Sequence, residues 1–419
     1  MDRNIQHVFI VGAKGLGTYG GYETFVDKLT EYHQDNGRIR YHVACKANGE
    51  GSMDETKTEG VSGIRLNKNG RCEEFRYHNA RCFKIPVPNI GPARAIVYDV
   101  AALWKCCRYI RENQIPHPIV YILACRIGPF MRYFYRRIHA LGGRVYLNPD
   151  GHEWKRAKWS APVRKYWKIS EQMMVKHSDL VICDSINIEK YIHSSYDGKG
   201  VGGANPSTTY IAYGAETRNS LLGDEDERFV NWMQEKDLQP NGYYLAVGRF
   251  VPENNYETMI REFMKTDSRK KFAIITEVNE RFLSQLEERL HFRADDRIKF
   301  VGTVYDQELL RKIRENAYGY LHGHEVGGTN PSLLEAMGVT KLNLLLDVGF
   351  NREVAEDAVL YWTKEAGNLA ALIAASDELP ADEIQSYDTK AKERIEDHYS
   401  WQFIGDRYEE VFCGDLPKE

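Results

Sequence analysis

Two hydrophobic patterns alternate along the 419 residues. Short, nearly continuous apolar runs suit strands buried on both faces of a parallel sheet. Longer stretches with apolar residues three and four apart suit helices lying against them. In the first half the strand-like runs fall at 6–11 (QHVFIV), 41–45, 119–124 (IVYILA), 144–147, 180–183 (LVIC) and 208–211. Helical spacing fills 92–111, 129–140 and 162–177, and Asp184 or Ser185 is suited to cap a short helix after LVIC. The second half restarts the rhythm, with strands at 243–247 (YYLAV), 272–276 (FAIIT), 298–301, 318–322 (YGYLH) and 342–346 (LNLLL). Its helices are expected at 256–265, 279–291, 307–316 and 331–337. This alternation, run through twice, predicts an α/β protein with two doubly wound, Rossmann-like parallel sheets facing each other across a cleft. The first domain is expected over 1–215, and a linker and second domain over 216–399, with the acidic, partly helical stretch 215–241 as the linker region. A helix at about 400–419 carries an aromatic stripe (Trp401, Phe403, Ile404, Tyr408, Phe412) and is expected to pack back on the first domain. Ligands of doubly wound sheets bind beyond the carboxyl ends of the strands, so the chemistry is sought in the loops there.

Composition narrows the classes. Apolar residues make up 42% and charged residues 28%, which excludes a mainly disordered or fibrous chain. No apolar run approaches the ~20 residues of a membrane-spanning helix, and the first apolar stretch is too short and too soon charged for a signal peptide. Eight cysteines without a CxxC pair read as reduced thiols of a cytoplasmic protein. Charge divides unevenly: residues 1–215 hold 31 Lys and Arg against 20 Asp and Glu, and the remainder 25 against 40. A basic first half suits an anionic partner, namely nucleic acid, anionic lipid or a phosphorylated substrate. Simple attraction between the halves is the plainer alternative.

Four loops carry candidate chemistry. The first, Gly12-Ala-Lys-Gly-Leu-Gly-Thr-Tyr-Gly20-Gly21, runs from a strand into a helix. Its glycines allow close backbone approach to a ligand, and the helix start favours an anion. Its GxxGxG spacing is neither the dinucleotide fingerprint nor a P-loop, and a tight structural turn is the other reading. The second runs from His322 to Gly338. Asn330 fits the N-cap, Pro331 the first turn and Gly338 the position just past the helix. Gly327, Gly328 and Thr329 can offer backbone N–H groups to a phosphate, and Glu335, one turn in, can reach a ribose. His322 and His324 would share a strand face, but no third ligand follows at a zinc-like spacing, so no metal is expected. The third is Gly248-Arg249, an arginine beyond a strand end and suited to a diphosphate. The fourth, Asn148-Pro-Asp150-Gly-His-Glu-Trp154, places carboxylates beyond another strand. It is also a good solvated turn.

These motifs in this order, YGGYETFVDKL, NPDGHEWKRAKW, GRFVPENNYE and HGHEVGGTNPSLLEAM, resemble the nucleotide-sugar glycosyltransferases of family 4, which have the GT-B fold. Among these the chain is most similar to bacterial rhamnosyltransferases of capsule and cell-wall polysaccharide assembly. The resemblance covers nearly the whole chain. It implies that Arg249 binds the donor diphosphate and that Gly20 and Gly21 lie against the donor. It implies further that Gly327–Asn330 and Glu335 hold phosphate and ribose. The chain departs from the family pattern in three places. The usual Lys five residues after the Arg is Asn254, followed by Asn255. Gly327 stands where the first Glu of Glu-x7-Glu is usual, and Glu325 is the candidate replacement. The strand-end His-Asp of many relatives is Pro149-Asp150.

The implied reaction is metal-independent and cofactor-free transfer of a sugar, with L-rhamnose from dTDP-rhamnose favoured, to a lipid-linked saccharide. Retention is the family precedent. Asp150 and Glu325 are the catalytic candidates, Asp150 for the acceptor hydroxyl or the developing cation. Rival readings are a nucleotide-sugar 2-epimerase of the same fold and a basic-surface nucleic-acid binder, though no nucleic-acid motif supports the latter. The stretch 154–168 (WKRAKWSAPVRKYWK) interleaves Lys155, Arg156, Lys158, Arg164, Lys165 and Lys168 with aromatic residues and holds no acid. A second cluster, Arg132, Arg136 and Arg137 with Tyr133, Phe134 and Tyr135, repeats the pattern. Both fit peripheral attachment to the anionic inner face of the cell membrane, unless the tryptophans are core and the cations merely solvated.

Overall fold

The computed structural model describes residues 5–17, 20–49, 51–155 and 159–414. The chain divides into two units. Residues 1–213 with 401–419 form one, and 214–400 the other.

The first unit is built on a nine-stranded sheet. Its strands are β1 (Gln6–Val11), β2 (Ile39–Lys46), β3 (Ser62–Leu66), β4 (Cys72–Tyr77), β5 (Ala80–Ile85), β6 (Ile119–Leu123), β7 (Arg144–Asn148), β8 (Leu180–Cys183) and β9 (Thr208–Tyr210), in the order β3-β4-β5-β2-β1-β6-β7-β8-β9. From β5 to β9 all pairing is parallel. β3, β4 and β5 form an antiparallel meander at one edge, which the hydrophobic pattern did not announce. β3 is exposed along its whole length, so it has no apolar run to read. β1 and β6 form the switch point, because the chain builds outward from them in opposite directions. Phe9, Ala44, Val120 and Ile122 pack under helices Arg94–Glu112 and Gly128–Ala140. Ser185 is the residue that caps helix Ile186–Tyr196, accepting a hydrogen bond from the Asn187 N–H at 3.1 Å. The C-terminal helix Trp401–Cys413 belongs to this unit. Tyr408 packs on Phe25 at 5.3 Å, its hydroxyl meets that of Tyr121 at 3.0 Å, and Phe412 lies against Tyr41.

The second unit holds a six-stranded, wholly parallel sheet, ordered β12-β11-β10-β13-β14-β15. Its strands are β10 (Tyr243–Val247), β11 (Lys271–Ile275), β12 (Ile298–Gly302), β13 (Gly319–His322), β14 (Asn343–Leu346) and β15 (Leu360–Trp362). Here the switch point is β10/β13. The stretch read as a linker is mostly part of this body. Helix Glu227–Glu235 buries Phe229, Trp232 and Met233 against Leu245, Val301 and Ile313, and Arg218 pairs with Glu308. Helix Ala381–Tyr399 is polar over most of its surface, which hid it from a periodicity reading. Among the described residues no helix is long and apolar enough to cross a membrane. All eight cysteines are free thiols, six of them buried.

Candidate functional site

Each unit brings chemistry-bearing loops together at its own switch point. In the first unit the glycine loop follows β1. Gly12 has φ +117°, and a Cβ there would collide with the Leu123 carbonyl of neighbouring β6. Glycine is therefore required by both conformation and space. The Glu23 carboxylate accepts a hydrogen bond from the Lys14 N–H at 2.7 Å, and Asp27 accepts one from Gly17 N–H at 3.2 Å. The acid of the GGYE motif is thus buried and holds the loop. Gly20 precedes helix Gly21–Tyr32, and nothing lies within 4 Å of where a Cβ on Gly21 would sit. Arg126, in the loop after β6, donates to the Gly12 carbonyl at 3.0 Å and pairs with buried Asp99 at 3.2 Å. Burial pushes the Asp99 carboxyl upward against the opposing pull of Arg126. Neither residue was singled out from sequence. The signal was available, because Arg126 follows an apolar strand just as Arg249 does.

Asp150 lies two residues past β7, in a left-handed conformation at φ +61°. Asn148 organises this turn: its Oδ1 accepts from the Asp150 N–H at 2.9 Å and from the Tyr22 hydroxyl at 3.3 Å. Burial first, and Asp150 next, raise the Tyr22 hydroxyl well above the usual phenol range, so it stays protonated. The residue after Gly21 therefore reaches the loop that holds Asp150.

The basic stretch is described in part. Arg156 and Lys158 lie outside the described residues. Lys155, Arg164 and Lys165 are exposed. Lys168 is part-exposed and paired: it bonds Glu171 and Tyr191, and its ammonium lies 4.7 Å from the Trp154 ring. The indoles are half-buried and engaged, Trp154 with Tyr191 at 3.1 Å and Trp159 with Glu153 at 2.9 Å. In the second cluster Phe134 is core, while Tyr133, Arg132 and Arg136 are exposed.

In the second unit the loops after β10 and β13 emerge side by side, because these strands are hydrogen-bonded neighbours. Arg249 is exposed just past β10. Its carbonyl accepts a hydrogen bond from Asn254 Nδ2 at 2.8 Å. Asn254 and Asn255 are both buried. Asn255, at φ +56°, donates to the Gly323 carbonyl at 2.8 Å and to Glu325 at 3.1 Å. Lys364 also bonds Glu325. Burial works against the Glu325 charge, but the bonds from Lys364 and Asn255 win and hold its carboxyl below the ordinary range. His322 and His324 stack at 4.3 Å. Burial, and then His324, hold His322 well below the usual imidazole pKa, so it is neutral. A Cβ on Gly248 would lie 3.0 Å from the His324 ring, which explains the glycine before Arg249.

Gly327 has φ +144°, with open space where a Cβ would be, while Gly328 and Thr329 are buried. Asn330 caps helix Pro331–Val339, accepting from the Ser332 N–H at 2.9 Å and the Leu333 N–H at 3.4 Å. Glu335 lies one turn in and pairs with Arg314 at 2.7 Å. Gly338 is not past the helix as the motif suggested. The helix runs through Val339, and a Cβ on Gly338 would collide with the Glu216 carbonyl, so glycine is needed for close approach.

The whole chain is similar in fold to solved GT-B glycosyltransferases. Sucrose-phosphate synthase from Thermosynechococcus elongatus matches with TM-score 0.70 at 14% identity, over 98% of this chain and 99% of that one. HepE of Anabaena, solved with UDP and glucose, matches with TM-score 0.68 at 14% identity, over 98% and 100%. A structure described as trehalose-6-phosphate from E. coli, bound with UDP-2-fluoro glucose, matches with TM-score 0.70 at 10% identity, over 99% and 100%. At these identities the likeness establishes the fold, GT-B. No curated protein matches the sequence. Residues 5–216 match the family model described as domain of unknown function DUF1972, and the chain belongs to that family.

Proposed function

We propose that the protein is a glycosyltransferase that takes a sugar from a nucleotide-sugar donor held in the second unit. One observation carries the reading. At the β10/β13 switch point an exposed Arg249 stands beside a glycine-rich loop that opens into a capped helix. That is a cation next to a helix N-terminus, an arrangement suited to a leaving nucleoside diphosphate. Similar folds solved with UDP and with UDP-2-fluoro glucose agree with it. Transfer breaks the sugar–phosphate C–O bond, and the charge that develops on the diphosphate is what Arg249 and the helix-start amides stabilise. Asn254 and Asn255 shape the Arg249 loop. Glu325, kept ionised, faces the positive charge developing on the sugar. Asp150 of the first unit handles the acceptor hydroxyl, Gly21 leaves room for the donor, and Gly20, beside it, lets the Glu23 carboxylate pack where a side chain would sit. The favoured donor is dTDP-rhamnose, supported by the ordered motifs of rhamnosyltransferases.

The acceptor in this reading is a lipid-linked saccharide of bacterial surface polysaccharide assembly. Exposed Lys155, Arg164 and Lys165 support it, with Arg156 and Lys158 in the same run. Each cation near an anionic bilayer contributes about 1 kcal/mol. The test incubates the protein with a panel of nucleotide-sugars and a synthetic lipid-linked acceptor, read by mass spectrometry. A mass increase of one deoxyhexose with dTDP-rhamnose alone supports the full reading. Transfer from another donor refutes the rhamnose assignment, and no transfer from any donor refutes the reaction.

A further inference from the structure

The first sheet carries a second concentration of charge, at the opposite end of β1 and β2 from the glycine loop. Strand register builds it. His7 lies beside Arg40 across β1 and β2. His42 lies beside Arg81 across β2 and β5, and Arg81 beside Arg76 across β5 and β4. Neighbours in register, and residues two apart on a strand, share a face. These five residues therefore occupy the face on which Phe9, Ala44 and Phe83 form the core farther along. Apolar side chains fill that face at one end of the strands, and cations and imidazoles at the other.

They line a cavity of about 300 Å³ closed by Tyr109 of helix Arg94–Glu112, and among the described residues no Asp or Glu lines it. Arg81 stacks on Tyr109 at 3.6 Å and is neutralised by Glu74 from outside. Arg40 and Arg76 are exposed. His42 is only 1% exposed and stacks on Phe9 at 4.2 Å. Its Nε2 lies 2.9 Å from His7 Nδ1, and its Nδ1 is buried without a hydrogen-bond partner. Burial, and then Arg81, His7, Arg40 and Arg76, hold His42 well below the usual imidazole pKa, so the guanidinium groups lie close enough to be felt there. If His7 Nδ1 donates to His42 Nε2, the proton of neutral His42 sits on Nδ1, the atom that lacks a partner. A buried donor without an acceptor, in a cavity lined by arginines, is complementary to an anion.

We infer that this cavity binds a phosphoryl group, with Arg40 and Arg76 as the charged contacts and His42 Nδ1–H as the neutral donor. Guanidinium forks match phosphate oxygens in geometry and charge. The volume, at the lower limit of ligand pockets, suits phosphate or pyrophosphate or the headgroup of a phospholipid rather than a whole nucleotide-sugar. Within the first unit the site lies at the opposite end of the strands from the glycine loop, and it does not depend on the donor and acceptor assignments.

The test follows the imidazole resonances of His7 and His42 by NMR while inorganic phosphate is added to the full chain. A second arm measures co-sedimentation with phosphatidylglycerol vesicles, against phosphatidylcholine as control. The same is done for Arg40→Gln/Arg76→Gln, whose unchanged melting temperature shows that it folds. Saturable shifts at both histidines, weakened by roughly tenfold or more in the variant, support a site for free phosphate. Vesicle binding that requires phosphatidylglycerol and is lost in the variant supports a headgroup site. Absence of both responses, or responses equal in the variant and the parent protein, overturns the inference.

Discussion

Asn255 Nδ2 donates to the Glu325 carboxylate at 3.1 Å and to the Gly323 carbonyl at 2.8 Å. One buried amide therefore ties the loop after β10 to the loop after β13. Asn255→Ala removes both bonds and places alanine at φ +56°. Unfolding in urea should show a loss of about 1–3 kcal/mol for the stranded Gly323 carbonyl, plus roughly 1 kcal/mol of left-handed strain, while Lys364 keeps the Glu325 carboxylate paired. Asn255→Gly should recover the strain but not the bonds. Equal stability of the two variants would show that conformation is not a factor here.

Gly338 meets the Glu216 carbonyl inside the second unit. Gly338→Ala must push backbone against backbone, which costs roughly 1–3 kcal/mol. Gly338→Val should cost more. Gly21→Ala, with open space around it, should change stability far less. The three melting temperatures check this order.

The C-terminal helix covers Phe25, Tyr41 and Tyr121. A chain ending at Tyr399 uncovers this aromatic surface, and large side chains lose roughly 1.5–3 kcal/mol each when their burial is removed. The shortened protein should aggregate or melt far below the full chain. A soluble form with an unchanged melting temperature would contradict the packing.

His152, two residues past Asp150, has its imidazole pKa lowered to about 4 by burial first, then by Lys155 and Lys168. The ordinary value is about 6.5. The unfolded chain therefore takes up this proton at higher pH than the folded one. The contribution to stability is complete above about pH 6.5 and falls as pH drops toward 4. Histidine NMR should find His152 titrating near pH 4, and His152→Gln should flatten the pH 4–6.5 part of the stability profile. Titration near 6.5 would mean the ring is solvated.

The legible part of the molecule was the part buried on both faces of a sheet. QHVFIV, LVIC and YYLAV could hardly be anything but central strands, and the matching strands start and end within a residue or two of the apolar runs. Exposed β3 and polar helix Ala381–Tyr399 have no apolar signature, because their stability comes from edge pairing and from a narrow buried stripe at Ala391, Ile395 and Tyr399. In the candidate site, Arg249, Asp150 and the Gly327–Asn330 loop were readable as residues just beyond strands. What holds them was not, since Lys364 reaches Glu325, and Asn148 reaches Tyr22, across long stretches of chain. Lys168 shows the converse: its neighbours in sequence group it with the solvated cations, while in space it is part-exposed and paired with Glu171 and Tyr191.

In the proposed reaction the second unit binds a nucleoside diphosphate through Arg249. Isothermal titration of dTDP and UDP into the parent protein and into Arg249→Ala tests it most directly. Loss of a charge-assisted contact removes about 1.5–3 kcal/mol, or roughly ten- to more than a hundredfold in affinity. The expected result is saturable binding by the parent protein and a loss of that size in a variant with an unchanged melting temperature. Equal affinity in the two proteins, or no binding of either nucleotide to the parent, would contradict it.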